Sequence, residues 1–370
     1  MYKVLKKKNI IAIFLIISFF SLTAVISTNF YTEPSYVRDN TFYFDKYASK
    51  IGLTEKSKIH REFDGGYAGD AIHYIMIAMG KDDLSHTPYT YRILVPKLAG
   101  FLAKATINKD VKNYEDVFFK RISFLWRGIN ISLCFLLMII PILHFYKFIF
   151  YHKLPFEFPL VLMMNVFNMG VIMTAPFSLL DIPTYAVLTL GASFFFKKDI
   201  LLLTLTACIG VFVKEITLIL MLPILYLCWF HFRKNYILSL FCSFFPIILF
   251  LIFRVIISGD ASDMGQIRYN VANPLDFYYF KRHVFELGIG NFLTRVFFSI
   301  GLIFLIFVFY RIWLRKLKKE FLMILILTTS VIILNLLLAS AVIRVTQVVT
   351  PFLIFYVLET IRLKQLNLKK

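Results

Sequence analysis

DILLLTLTACIGVFVKEITLILMLPILYLCWF, residues 199–230, is apolar almost throughout, with Asp199 at its start and the adjacent Lys214 and Glu215 near its middle. It reads either as one long tilted helix or as two short helices meeting at the charged pair. The charges downstream decide between them. A single crossing would place Arg233 and Lys234, then Arg311, Arg315, Lys316, Lys318 and Lys319, and finally the basic tail on the outer side of a membrane. A hairpin places them all inside, where short basic loops are retained. Residues 199–230 are therefore expected to form a helical hairpin. Each arm of about 15 residues rises roughly 22 Å, less than the roughly 30 Å hydrocarbon core, so the tip at Lys214 and Glu215 should lie recessed below the outer surface.

The rest of the chain has the same character. Hydrophobic residues make up 59% of the 370 positions, and apolar runs of about 18 residues or more, the length that crosses a bilayer, recur along it. The expected fold is an all-α polytopic membrane protein, a single integral membrane domain over residues 1–370 with about ten transmembrane helices. A net charge of +19 would point to nucleic acid in a soluble chain. Here the lysines flank apolar spans, so membrane lipid is the expected partner and nucleic acid is not. Cys134, Cys208, Cys228 and Cys242 lie inside apolar runs without metal-type spacing and read as small buried hydrophobes.

Residues 9–30 follow the basic start MYKVLKKK and read as an uncleaved first span. The apolar run exceeds the roughly 7–15 residues of a signal h-region, and no small-x-small cleavage site follows it. Residues 31–120 then form a long first extracytoplasmic loop. Further spans are expected at 124–145, 158–174, 181–197, 236–257, 292–310, 321–338 and 343–361, with a second extracytoplasmic loop at 258–291. Both termini fall on the cytoplasmic side, and the expected location is a bacterial cytoplasmic (inner) membrane.

Within the first loop, residues 63–98 read FDGGYAGDAIHYIMIAMGKDDLSHTPYTYRILVPKL and gather carboxylates, a histidine, tyrosines and an arginine. Wound as a helix, residues 70–79 put Ala71, Ile72, Ile75, Met76 and Met79 on one side and Asp70, His73 and Tyr74 on the other. That pattern predicts an interfacial amphipathic helix presenting polar groups away from the membrane. Gly80 offers its C-terminal stop, and RILVPKLAGFLAK reads as a second short amphipathic helix. In this topology Asp181, Lys214, Glu215 and Arg344 fall on the same face as Asp64 and Asp70. An ionic group near the bilayer centre costs about 2.5–3.5 kcal/mol on insertion scales, so it lines a cavity or finds a partner. One outward-facing site is the expectation.

GDAIHY at 69–74 followed by HTPYTYRILVPKLAGFLA at 86–103 resembles the first outer loop of the GT-C glycosyltransferases, polytopic enzymes that take sugars from polyprenyl-phosphate carriers. The likeness is to GPI mannosyltransferase I and related bacterial polyprenyl-phosphate-dependent mannosyltransferases. Asp70 matches the catalytic aspartate position, and Pro88, Tyr89, Tyr91, Arg92 and Pro96 match the later PY and YRY-P pattern. A compact DxD or DE pair is missing, since Asp64 and Asp70 stand six apart. The resemblance implies a hexosyltransferase-like enzyme. It would move a sugar from a polyprenyl-phosphate donor to a lipid-linked or cell-envelope glycan acceptor on the extracytoplasmic face, with inversion. It further implies Asp70 as general base, Asp64 orienting the acceptor or a metal, and Arg92, Lys214 and Arg344 as phosphate ligands, with Glu215 holding Lys214. Tyr91, His73 and Asp181 complete the substrate-binding set. No cofactor follows with certainty, and a divalent cation stays open.

Each of these residues also has an ordinary structural role. Asp70 suits a helix N-cap, Asp64 a turn before Gly65 and Gly66, and Asp181 a cap beside Pro183. His73 suits a surface position, Lys214 and Glu215 can neutralise one another, and Arg344 can reach the head groups. Three other classes fit the pattern: a polysaccharide (O-antigen or exopolysaccharide) polymerase, a flippase or transporter of lipid-linked saccharide, and a non-catalytic assembly partner. No Gly-rich phosphate loop is seen, which disfavours a nucleotide-sugar donor.

Overall fold

The computed structural model describes residues 68–82, 92–108, 111, 113–152, 154–165, 180–232, 235–258, 285, 288–291, 318–338 and 347–367. The expected spans at 9–30 and 292–310, residues 31–67 of the first loop and nearly all of the loop at 258–291 lie outside them. Among the described residues the fold is helical, with no strand. Two helices are long and apolar enough to cross a bilayer. They are α3, Tyr114–His144, and α9, Tyr236–Ser258, of 31 and 23 residues. On α9 the side chains of Ile237, Phe241, Phe244, Ile248 and Leu251 are exposed at spacings of three and four, so one apolar face points away from the bundle. An exposed stripe of that kind suits contact with lipid.

The chain enters the described region through α1, Ala68–Ala78. Gly80 ends it at φ +78°, with the Lys81 N–H bonded to the Met76 carbonyl and the Gly80 N–H to that of Ile77. This is the Schellman pattern, which needs a left-handed residue and so favours glycine. The helix does not present its polar side outward as predicted. His73 through Ala78 are all buried, on both the apolar and the polar side of the wheel. The cover comes from α2, Leu94–Ala105, and from the first half of α3, whose Phe118, Phe119, Ile122 and Trp126 share a core with Tyr74, Ile75 and Met76. A hydrophobic pattern reports what a helix can bury on one face, whereas two neighbours bury two faces.

Helix α3 also starts ten residues before the expected span at 124–145. Glu115 and Asp116 stand in its first turn, where the helix dipole favours acids. Its apolar residues 118, 119, 122 and 126 fall on one side, so the stretch read as the end of a loop is the amphipathic start of the helix. Farther along, Cys134, Leu137 and Met138 enter a second, larger core. One helix thus belongs to both cores and joins them.

The second core is built around α6, Asp181–Lys197, which packs against α3, α7 (Ile200–Val211) and α11 (Thr350–Asn367). After α7 the chain turns at Phe212 and Val213, and Lys214 is extended at φ −165° and ψ 137°. It continues as a 3₁₀ turn, Glu215–Leu220, and α8, Met221–Phe230. Lys214 meets Asp181 at the start of α6, and Tyr226 meets Phe195 near its end, with ring centroids 5.5 Å apart. The segment after the turn therefore runs alongside α6 back towards the end from which α7 began. Helices α4 (Tyr146–Tyr151), α5 (Glu157–Met164) and α10 (Lys318–Leu338) complete the described bundle. All four cysteines are buried thiols.

The crossing of α1 and α2 depends on Gly100, where an added Cβ would lie 2.0 Å from the Ala78 carbonyl oxygen. At Gly191 an added Cβ would meet the flexible end of Leu220 at 2.6 Å. A backbone carbonyl cannot swing aside, but a leucine methyl can. Gly100→Ala should therefore lower stability by about 1–3 kcal/mol, the usual cost of overpacking, and Gly191→Ala by clearly less. Thermal unfolding of the two purified variants in detergent checks the order; equal midpoints would contradict it.

Candidate functional site

Arg92 follows the PYTY segment and immediately precedes α2. Its guanidinium forks onto Glu215, with Nε 2.8 Å from Oε2 and the second nitrogen, Nη2, on Oε1. The remaining nitrogen, Nη1, donates to the Tyr74 hydroxyl oxygen at 2.7 Å. Planar bidentate pairing is the geometry in which arginine binds a carboxylate most strongly. One residue pair along, the Leu94 N–H donates to the Phe212 carbonyl at 3.1 Å. That bond joins an open N–H in the first turn of α2 to a carbonyl just past the end of α7, two groups that helix geometry leaves without partners of their own. The first loop and the hairpin tip are thus fastened by backbone and side chain together.

The second ion pair lies at the same tip. Lys214 Nζ stands 3.4 Å from Asp181 Oδ1, with side chains 18% and 7% exposed. Glu215 was expected to hold Lys214, but the two neighbours take different partners, Glu215 pairing with Arg92 and Lys214 with Asp181. The reason is local. The backbone changes from extended at Lys214 to a 3₁₀ turn at Glu215, which lets the two reach different partners while the Lys214 charge still acts on Glu215. Asp181 was also open to a capping role. It is the first residue of α6, with Leu180 at the cap position and no side-chain cap bond there, and its carboxylate faces Lys214.

Four of the expected site residues, Arg92, Lys214, Glu215 and Asp181, therefore meet at one end of the bundle. The set carries two positive and two negative groups. His73 lies on α1 beside Tyr74 and is buried, 4% exposed, rather than on the surface. Asp70 is on α1, one helical turn before Tyr74. Residues four apart are separated by about 6 Å along the axis, so Asp70 stands one turn from the residue that touches Arg92. Asp64, Tyr91 and Arg344 lie outside the described residues. Among the described residues no three His, Cys, Asp or Glu side chains group as a metal site.

Tyr74, which the sequence put on the polar side of the helix with Asp70 and His73, was not assigned to the site. It is 1% exposed, and its ring lies 6.2 Å from that of Trp126 on α3. Its spacing of four from Asp70 was the available signal. The Leu94 to Phe212 bond has no sequence signature, since backbone groups carry none.

Removing one partner of the fork should be costly. Glu215 keeps 29% of its side chain exposed and Arg92 9%, so Glu215→Gln should lose about 2–3 kcal/mol, below the roughly 3–5 kcal/mol of a fully buried pair. The double variant Arg92→Met with Glu215→Leu should lose less than the sum of its single changes. A double-mutant cycle on thermal unfolding measures the coupling, and additive losses would mean that the fork contributes nothing.

No protein-family model, no curated protein and no solved structure matches this chain.

Proposed function

We propose that the chain is a GT-C-type membrane glycosyltransferase that moves a sugar from a polyprenyl-phosphate carrier to a lipid-linked or cell-envelope glycan. In this reading it crosses a bacterial inner membrane about ten times, with both ends cytoplasmic and the ion-pair cluster on the extracytoplasmic side. The observation that carries the reading is the joint of Tyr74, Arg92 and Glu215. It ties the helix of Asp70 to the tip that bears Lys214. In this reading a base and a cation are held at one end of the bundle, as transfer from a lipid phosphate requires.

The chemistry follows from those positions. Asp70 takes the proton from the acceptor hydroxyl as its oxygen attacks the anomeric carbon, and the bond from that carbon to the phosphate oxygen breaks. The electron pair leaves on the lipid phosphate, where a cation stabilises the new charge. The two expected phosphate ligands at the tip differ. Arg92 has its fork on Glu215, so it acts as a positioning residue that fixes the loop. Lys214 is a point charge on a flexible stem, 3.4 Å from Asp181 Oδ1, and has no planar fork to give up. An incoming phosphate can take Lys214 from Asp181 without dismantling the joint. Asp64 orients the acceptor or a divalent cation, and Tyr91, His73 and Arg344 belong to the substrate-binding set.

Helix α2 supports the orientation. Val95, Ala99 and Ala103 face the core, while Leu94, Leu98 and Phe101 are exposed at spacings of four and three. An apolar stripe beside the site suits a helix lying at the membrane boundary, where a prenyl chain approaches.

The test is sugar transfer by full-length protein in membranes, using polyprenyl-phosphate sugars and lipid-linked acceptors. Asp70→Asn should lower turnover at least about 100-fold, the lower bound of what a general base supplies, while donor binding stays within a few-fold of wild type. Lys214→Ala should weaken donor binding. Transfer that survives Asp70→Asn at the wild-type rate would eliminate the reading, and loss of lipid-linked saccharide movement without loss of transfer would favour a flippase.

A further inference from the structure

At the far end of α6 from the ion-pair cluster the bundle holds a cavity of about 560 Å³, lined among others by His144, Lys147, Tyr151, His152, Glu359 and Arg362. Ser193, which hydrogen-bonds His144 at 2.9 Å, is 12 residues along α6 from Asp181, about 18 Å at the helical rise. This cavity is a separate place from the site at the hairpin tip. We propose that it binds the head group of an anionic phospholipid.

Three features point to that ligand. The first is charge. Among the described lining residues Lys147 and Arg362 supply two cations against one carboxylate, Glu359, and His144 and His152 add ring nitrogens. Glu359 pairs with both Nε and Nη2 of Arg362, which fixes the guanidinium at the cavity wall. His144 is likewise held, by Ser193 and edge-on to Phe355 with centroids 5.0 Å apart. Basic pockets between membrane helices are the usual receptors for anionic lipid head groups.

The second feature is the rim. Leu143, Tyr146, Phe150 and Tyr151 are exposed large hydrophobic residues around the turn from α3 into α4, while Phe148 and Ile149 are buried. Tyrosines at such a turn mark the level where head groups meet acyl chains. Lys147 Nζ lies 5.9 Å from the Tyr146 ring centroid, so the charged end is kept close to the aromatic rim. The third feature is size. A cavity of this volume falls in the range of about 300–1,000 Å³ that small ligands occupy, and the exposed Leu143 and Phe150 offer a path for acyl chains beside it. The ligand is therefore an amphiphile rather than a free ion.

The inference does not depend on the chemistry at Asp70. It can be tested on full-length protein in nanodiscs of phosphatidylcholine titrated with phosphatidylglycerol, with bound lipid counted by native mass spectrometry. Lys147→Gln should weaken phosphatidylglycerol binding about tenfold, the effect of losing one charge-assisted contact. Lys147→Arg should restore it, and Lys97→Gln, at the other end of the bundle, should leave it unchanged. Arg362→Gln provides a second probe of the same wall. Equal phosphatidylglycerol binding by wild type and Lys147→Gln would overturn the proposal. So would equal retention of phosphatidylcholine, or full competition by inorganic phosphate, which would make the site one for a soluble anion.

Discussion

Charge removed from water has to find charge, and this requirement sets the geometry at one end of the bundle. Arg92 and Glu215 are separated by 123 positions in sequence, yet their fork brings the segment before α2 onto the hairpin tip. The Leu94 N–H and the Phe212 carbonyl close the same joint through the backbone. Each bond relieves a group that the fold would otherwise strand: a carboxylate at the start of a 3₁₀ turn, a guanidinium beneath α1, an open N–H and an open C=O. Shift the tip and all four lose their partners together. The joint is therefore more exacting than the apolar contacts around it, which tolerate small slips.

Beneath the joint, two cores meet along α3. Its first half packs with α1 and α2, and its second half with α6 and the main bundle. A helix of 31 residues is long enough to do both, so the part of the first loop that carries Asp70 is anchored to the bundle rather than tethered beside it. Gly100 lets α1 and α2 cross with backbone against backbone, which brings Tyr74 under Arg92. Packing thus delivers the tyrosine, and the ions lock it there.

The legible parts of this arrangement were those written in local chemistry. Two adjacent ions interrupting an apolar run offered a place for the chain to reverse, and the basic loops farther along chose the hairpin over a single helix. Gly80 marks the end of α1, because a left-handed residue is needed there and glycine supplies it at little steric cost. The rest depended on partners far along the chain. Helical periodicity in residues 70–79 offered one apolar face, and nothing in those ten residues reports that α2 and α3 would cover the polar face as well. Lys214 and Glu215 looked like each other's counter-ions because they are neighbours. An extended residue followed by a tight turn lets each reach another ion as well, Asp181 for Lys214 and Arg92 for Glu215, 33 and 123 positions away.

The division of labour between the two pairs follows from what arginine and lysine are. A guanidinium is planar and presents its donors in a fixed fork, so once seated on a carboxylate it holds direction as well as distance. An ammonium is a compact charge on a flexible stem, able to exchange one oxygen for another with little change of backbone. In this protein the arginine joins the loop to the hairpin, and the lysine stands with Asp181 at a longer separation. Among the described residues the two pairs set two acids against two bases, and each base takes a different acid. The rigid cation stands where two segments far apart in sequence must be kept in register, and the adaptable one stands beside it at the start of α6.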